Sequence, residues 1–397
     1  MNRIKSINDL AVTGKRVLVR VDYNVPMDKN AVTDDTRVRA SLPTLNHLIK
    51  NGARVILISH LGRPKGAPNP KYSLAPVAQH LSQLIKKPVA FVADCVGAQA
   101  EEAARTLKNG DVLLLENLRF HPEEEKNDPA FAKKLAGLGE LFVQDAFGAV
   151  HRAHASTAGV PALLPSAAGL LLLKELDYLG RIKENPAKPF VAIVGGAKVS
   201  DKIEVLDKLI EKVDSLVIGG AMAYTFLRAQ GVATGKSRVE PDTVDLAKDL
   251  MKKAAARGAQ VLLPLDHVAV KAIDNPASAH DTAGTAIADD ELGVDVGPKS
   301  LQSVAGPLAA AKTIFWNGPM GDFEMENFQQ GTRGVALAVA AATQNKGAYS
   351  LIGGGDSVAA IQKFDLADNV SYVSTGGGAM LELLEGKDLP GVLAVMA

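Results

Sequence analysis

The stretch Phe190–Lys202, FVAIVGGAKVSDK, constrains the fold more than any other part of the chain. Phe190 to Val194 is an unbroken apolar run, which suits a strand covered on both faces. Gly195 and Gly196 end it. Ile203, Leu206, Leu209, Ile210 and Val213 then recur at helical spacing. The spacing predicts a helix from Ser200, with Ser200 as N-cap and Asp201 in the first turn. Lys198 and Lys202 run against this pattern, since each opposes the helix macrodipole by ~0.3–1 kcal/mol. Two lysines, glycine amides and a helix N-terminus suggest that an anion binds there. Two solvent-facing lysines are the plain alternative.

The same device recurs in the second half. Apolar runs end in glycines at Gly196, Gly220, Gly355 and Gly378, which predicts one crevice lined with backbone amides. Asp356 and Ser357 follow the third run. Asp356 either caps the helix over Val358–Phe364 or reaches a phosphate-bound Mg²⁺, which prefers carboxylate oxygens. A strand over Lys312–Trp316 leads to Glu324, either a surface carboxylate or an acceptor for two ribose hydroxyls. Two motifs fail on inspection. Gly231–Ser237 resembles a phosphate loop but has three residues between its glycines and follows a helical pattern. Gly353–Gly355 and Gly376–Gly378 begin like dinucleotide fingerprints, but Val358 and Leu381 stand where the third glycine belongs, so a nicotinamide is a poor fit.

The first half alternates strands and helices, which implies a mostly parallel sheet. Strands are expected over Arg16–Val21, Ala53–Ser59, Val89–Val92, Val112–Leu115 and Leu141–Val143, with helices over Arg37–Lys50, Leu74–Ile85 and Gly97–Leu107. Ligands of such sheets bind beyond the carboxyl ends of the strands. Asp22, Asn24, His60, Arg63, Arg119 and Arg152 all fall at or just past such ends, and Arg37 begins the helix after the first. Together they predict a cationic pocket for a small polyanion, because guanidinium grips phosphate and carboxylate in a fork. Local pairing is the competing expectation: Arg119 with Glu116, and Arg37 with Asp34 or Asp35. Glu123–Lys126 reads as a solvated charge run. His151 and His154 could share a metal, but no third ligand follows at suitable spacing, so polar or structural roles are expected. Ser166–Lys183 reads as one long helix, broken by Asn185–Pro189.

Composition narrows the class. A chain of 397 residues suggests two or three domains. Lys plus Arg and Asp plus Glu are both 44, which argues against broad nucleic-acid or membrane-surface binding. The single cysteine, Cys95, excludes an internal disulfide, suits a reducing cytoplasm and reads as structural. Met1 leads straight into polar and charged residues, so no signal peptide is expected. The most apolar segment, Pro161–Leu173, is too short to span a bilayer.

The whole chain resembles the phosphoglycerate kinases. The matching stretches are VRVDYNVP (Val19–Pro26), SHLGRP (Ser59–Pro64), ENLRF (Glu116–Phe120), DAFGAVHRAHAST (Asp145–Thr157), GGAKVSDK (Gly195–Lys202), WNGPMGDFE (Trp316–Glu324), GGGDS (Gly353–Ser357) and STGGGA (Ser374–Ala379). The resemblance implies an α/β fold of two Rossmann-like domains with mostly parallel sheets, joined by a long helix and hinge. Residues 1–184 with 381–397 would bind 3-phosphoglycerate, the tail packing back on that domain, and residues 185–380 would bind nucleotide. Carried over by position, Asp22, Tyr23, Asn24, Arg37, His60, Leu61, Gly62, Arg63, Arg119 and Arg152 would hold the substrate. Lys198, Lys202, Glu324, Gly354, Gly355, Asp356 and Ser357 would hold the nucleotide, with Asp356 on Mg²⁺ and with Arg37, Lys198 and Lys202 catalytic. The implied reaction is the glycolytic, reversible transfer of a phosphoryl group from 1,3-bisphosphoglycerate to ADP, giving 3-phosphoglycerate and ATP. Both cation sets must reach that group, which implies hinge closure. A cytoplasmic monomer is expected, with no nucleic-acid or membrane partner. A dehydrogenase and a non-catalytic nucleotide-binding regulator are the alternatives. Tyr23, Asp322 and Ser357 depart from the usual pattern, and Asp322 adds a negative charge on the nucleotide side.

Overall fold

The structure, a computed structural model, describes residues 4–396. The chain forms two compact units, residues 1–177 with 387–397 and residues 178–386.

The first unit is built on six parallel strands: β1 (Arg16–Arg20), β2 (Arg54–Ile58), β3 (Val89–Val92), β4 (Val112–Leu115), β5 (Leu141–Gln144) and β6 (Ser166–Ala168). Their order is β3-β4-β2-β1-β5-β6, so the chain starts near the middle and winds outward both ways. Strand alternation divides the apolar residues between two cores. Val17, Val19, Val55, Leu57 and Leu114 pack with Leu45, Leu48, Val77 and Leu81 on one face. Leu18, Ile56, Leu113 and Leu115 pack with Ala100, Ala104, Phe131 and Leu135 on the other. This double coverage explains the nearly continuous apolar strands.

The second unit repeats the plan with β7 (Phe190–Val194), β8 (Ser215–Ile218), β9 (Gln260–Leu262), β10 (Thr313–Asn317), β11 (Tyr349–Ile352) and β12 (Tyr372–Val373). The order is β9-β8-β7-β10-β11-β12, again all parallel. A small antiparallel sheet of His267–Val270, His280–Asp281 and Leu292–Val296 is inserted before β10.

The structure corrects several expectations. Ser166–Lys183 is not one helix: Ser166–Ala168 pairs with β5, and helix α2 runs over Leu170–Lys183. Gly169 makes the corner because a Cβ there would collide with the Asp145 carboxylate. That carboxylate caps α2 from β5, its Oδ1 accepting from Leu171 N at 3.0 Å and Leu172 N at 3.2 Å. The division between units falls inside α2, ahead of Asn185–Pro189. The last turns of α2 belong to the second unit, where Tyr178 stacks on Tyr372 at 4.2 Å and accepts the Tyr349 hydroxyl at 2.8 Å. The chain rejoins the first unit at Lys387, not Leu381. Residues 381–384 remain in the helix Gly377–Leu384, whose Met380 lies against Gly353. In the first unit, Gly391 N donates to Val150 O at 2.8 Å and Lys5 N to Val395 O at 3.1 Å. Among the described residues no helix is long and apolar enough to cross a membrane.

Asp145 is wholly buried and its Oδ2 has no hydrogen-bond partner. Burial raises its pKa to about 7. The folded state therefore holds this proton more tightly than the unfolded state does. The stabilisation is full below about pH 4 and is lost as pH rises through about 7. Asp145→Asn should flatten the fall in the urea midpoint between about pH 5 and about pH 8, read by denaturation at several pH values.

Candidate functional site

In the first unit the expected cationic residues gather at the carboxyl edge. β1 runs into Asp22 and Asn24, and helix α1 (Thr36–Lys50) presents Arg37 beside them. Arg37 Nη1 donates to Asn24 O at 2.7 Å and lies 3.6 Å from Asp22 Oδ2. The loop after β2 is tied in from both sides. Gly62 N donates to Asn24 Oδ1 at 2.8 Å, and Arg119 Nη1 donates to Gly62 O at 3.0 Å. Gly62 has φ +61°, and a Cβ there would run into the Tyr72 ring. Arg119 Nε lies 3.1 Å from Glu125 Oε1. Arg63 and Arg152 are exposed and have no carboxylate partner among the described residues.

The expected local pairs do not form. Glu116 accepts from Ser73 Oγ, Leu74 N and Asn117 N, Asp34 accepts from Thr36, and Asp35 pairs with Arg39 and His80. Tyr23 and Leu61, expected to bind substrate, point their side chains into the core, and the Tyr23 hydroxyl bonds Ser41 Oγ at 2.9 Å.

A buried network lies behind these groups, and sequence reasoning missed it. Arg20, at the end of the apolar strand β1, is 1% exposed. Its Nη1 donates to Val21 O at 2.5 Å, its Nε to Ser156 Oγ at 2.9 Å, and its Nη2 lies 3.1 Å from His60 Nδ1. Ser156 in turn donates its hydroxyl and its N–H to Glu124, at 2.5 and 3.0 Å. Glu124 is fully buried, so the charge run Glu123–Lys126 is not simply a solvated segment. Guanidinium can only donate, so His60 Nδ1 accepts and the imidazole proton sits on Nε2. Burial, then Arg20, Arg119 and Arg37, hold the His60 pKa well below its usual value. Burial, then Arg119, Arg20 and Arg152, lower His154 to about 4. Neutral histidines among crowded guanidiniums mark a strongly positive site. An arginine inside an apolar alternation was the one signal in the sequence.

In the second unit the glycine runs follow β7, β8, β11 and β12, which with β10 are consecutive neighbours in the sheet. They line one edge. A Cβ on Gly195 would collide with the Pro319 carbonyl, so this close backbone approach requires glycine. Helix α3 begins at Ile203, with Lys202 at the N-cap, not at Ser200. Ser200 donates its hydroxyl to Glu240 Oε1 at 2.6 Å and its N–H to Oε2 at 3.2 Å, which hold it in the loop ahead of the helix. Glu240 also accepts from Val199 N at 2.5 Å, which fixes the loop. The Lys202 ammonium bonds Asn317 Oδ1 and, at 3.2 Å, Asn317 O. Burial lowers its pKa to about 8, against the opposing pull of Asp356 and Asp201. Lys198 is exposed.

Asn317 was also missed. Its Nδ2 donates to Gly353 O at 2.6 Å and its carbonyl accepts from Gly195 N at 2.9 Å, so it joins three strand ends. Helix α4 (Gly355–Lys363) starts after Gly354, whose φ is +96°. Asp356 is in its first turn and exposed, and its carboxylate makes no hydrogen bond among the described residues. Ser357 is fully buried and accepts from Gly318 N at 2.5 Å, so its side chain is committed to the fold. Glu324 is exposed; partial burial and the neighbouring carboxylate of Asp322 raise its pKa. The Gly231–Ser237 loop packs away from this edge, Lys236 N donating to Glu291 O at 2.7 Å.

A cationic carboxyl edge on one parallel sheet and an amide-lined edge with lysines on another define an α/β protein equipped for two anionic ligands. Residues 7–387 match the family model described as phosphoglycerate kinase. The chain is 56% identical over 399 residues to phosphoglycerate kinase of Koribacter versatilis (strain Ellin345), covering 98% of each chain. It is 55% identical over 390 residues to that of Moorella thermoacetica, again covering 98% of each. The phosphoglycerate kinase structure from Coxiella burnetii aligns at TM-score 0.87 and 44% identity over 99% of both chains. That from Pyrococcus horikoshii OT3 aligns at TM-score 0.88 and 31% identity, over 99% of this chain and 98% of the other. The chain belongs to the phosphoglycerate kinase family.

Glu124→Ala should leave Arg20 buried without its counter-charge and lower the unfolding free energy by about 3–5 kcal/mol. Glu123→Ala, on the exposed side of the same turn, should change it by no more than about 0.5 kcal/mol. Urea denaturation of the two variants reads the difference.

Proposed function

We propose that the chain catalyses reversible, Mg²⁺-dependent phosphoryl transfer between 1,3-bisphosphoglycerate and ADP, giving 3-phosphoglycerate and ATP. Family membership makes it a glycolytic kinase. The observation that supports the assignment of residues is the pair of unlike anion sites, one guanidinium-rich and one built from glycine amides and lysines. Asp22, Asn24, His60, Arg63, Arg119 and Arg152 hold the phosphoglycerate. His60 donates from Nε2, and Arg63 and Arg152 use exposed guanidiniums that pair with no carboxylate among the described residues. The backbone of Tyr23, Leu61 and Gly62 shapes the floor. On the other edge, the amides of Gly354 to Ser357 receive nucleotide phosphates at the start of α4, where the macrodipole favours an anion. Glu324 accepts from the ribose.

The chemistry needs no general base. The group that leaves the acyl phosphate, or attacks ATP in reverse, is a carboxylate, which is ionised at neutral pH. The protein must place the phosphoryl group in line and neutralise its charge. Arg37 does so from the substrate side and Lys198 and Lys202 from the nucleotide side. The two lysines divide the task. Lys202 is held by Asn317 and anchors a phosphate, whereas exposed Lys198 is free to follow the transferred group. Reaching one group from both sets requires the two units to close about the Asn185–Pro189 segment. Asp356 suits Mg²⁺, because its exposed carboxylate makes no hydrogen bond among the described residues and offers hard oxygens beside the phosphate site. When bound, the ion neutralises phosphate charge. The same reading has the enzyme acting as a cytoplasmic monomer, without nucleic-acid or membrane partners.

A coupled assay with 3-phosphoglycerate, ATP and Mg²⁺ should show turnover. Arg37→Ala and Lys198→Ala should each lower kcat by roughly 10²–10³-fold. Full activity in both would overturn their roles, and ATP binding with no turnover would make the chain a regulator. Lys202 binds phosphate when protonated. kcat/KM for the nucleotide should therefore fall as pH rises through about 8, the free-enzyme value. In Lys202→Arg that alkaline limb should be absent, since guanidinium stays charged.

A further inference from the structure

Outside both anion sites, Cys95 is buried among apolar side chains of the first unit and is fully excluded from solvent. It follows Asp94 directly, just past the end of β3. His121, distant in sequence, follows β4 and the short turn Leu118–Phe120 and comes to the same point. One ligand atom from each of Asp94, Cys95 and His121 lies within 4.8 Å of the others. His121 Nε2 is 2.7 Å from Asp94 Oδ1, and the His121 ring rests against Phe131 with centroids 5.2 Å apart. Asp94 Oδ1 also accepts from Cys95 N at 2.7 Å, which fixes the turn. Two donors are partly exposed and one is buried, so the cluster is open on one side.

We propose that Asp94, Cys95 and His121 form a binding site for one thiophilic divalent cation of the zinc class. A tetrahedral zinc with Zn–S of about 2.3 Å and Zn–N or Zn–O of about 2.0–2.1 Å sets its ligand atoms about 3.3–3.8 Å apart. The three donors reach that spacing by side-chain shifts of about 1 Å. Asp94 and His121, half-exposed, can make them. The fourth position falls on the open side, where water fits. On binding, the Cys95 S–H bond breaks, its proton goes to solvent and a sulfur–metal bond forms. A thiolate–imidazole–carboxylate set selects zinc-like ions over magnesium, which prefers an all-oxygen shell. The site therefore stands apart from the nucleotide's magnesium and does not depend on the phosphoryl-transfer reading.

Cobalt(II) added to metal-free full-length protein tests this. The expected result is one cobalt per chain with a thiolate-to-cobalt charge-transfer band, abolished by zinc and unaffected by excess magnesium. His121→Asn, at a half-exposed position that the fold tolerates, should weaken cobalt binding by about tenfold or more. Cys95→Ser should abolish the band. Absence of the band in the unmodified protein overturns the proposal. So does a band whose midpoint in His121→Asn shifts by less than tenfold.

Discussion

A permanently charged guanidinium held out of water is the constraint from which the first unit's chemistry follows. Arg20 cannot shed its proton, so its burial must be offset by acceptors in fixed places. Three are present: the Val21 carbonyl, the Ser156 hydroxyl and His60 Nδ1, with Glu124 supplying the balancing charge through Ser156. Each acceptor lies on a different part of the chain. Satisfying one side chain therefore fixes the end of β1, the loop after β2 and the segment after β5 relative to each other. The exposed arginines are useful because that layer beneath them does not move. Arg119 is drawn into the same frame through the Gly62 carbonyl, and Arg37 through that of Asn24.

The second unit meets the same demand differently. Its carboxyl edge is made of glycine corners, which carry no side chains that could hold one another in place. Asn317 does that for them. Its amide, carbonyl and Oδ1 reach Gly353, Gly195 and Lys202 respectively. Ser357 adds a bond to Gly318. These bonds tie the glycine corners to one another, which is the preorganisation that the proposed phosphate site would need.

Much of this was legible in the sequence, because its signals are periodic or terminal. Apolar runs flanked by helical spacing gave both parallel sheets, and the strand ends gave the arginines and the glycine corners. What was not legible depends on contacts made across long separations. Glu124 reads as part of a surface charge run, and only its approach to Ser156 and Arg20 explains its burial. Ser200 is a good N-cap by type, yet Glu240, forty residues on, takes its hydroxyl and the helix starts later. Ser166–Ala168 follows a leucine-rich helical pattern, but the open edge of β5 pairs with it and turns it into a strand. In each case tertiary hydrogen bonding overrode a local preference worth about 1 kcal/mol. Tyr23 shows the converse. Its place between Asp22 and Asn24 suggested ligand contact, whereas strand alternation sends its side chain to the opposite face, into the core.

The two lysines that first drew notice differ in the same physical respect. Burial disfavours charge on Lys202, and Asn317 and the nearby carboxylate of Asp356 restore part of it. A phosphate arriving beside it would complete the compensation, so binding and the protonation of Lys202 are linked and each strengthens the other. Lys198 remains in water, where its charge costs little and its side chain keeps its rotamer freedom. A fixed cation suits a phosphate that stays with the nucleotide, and a free one suits a group that must travel. Spacing in the chain could not separate these roles. The difference in burial, with Lys202 tied to Asn317 at the end of β10, is the observation that supports the proposed division.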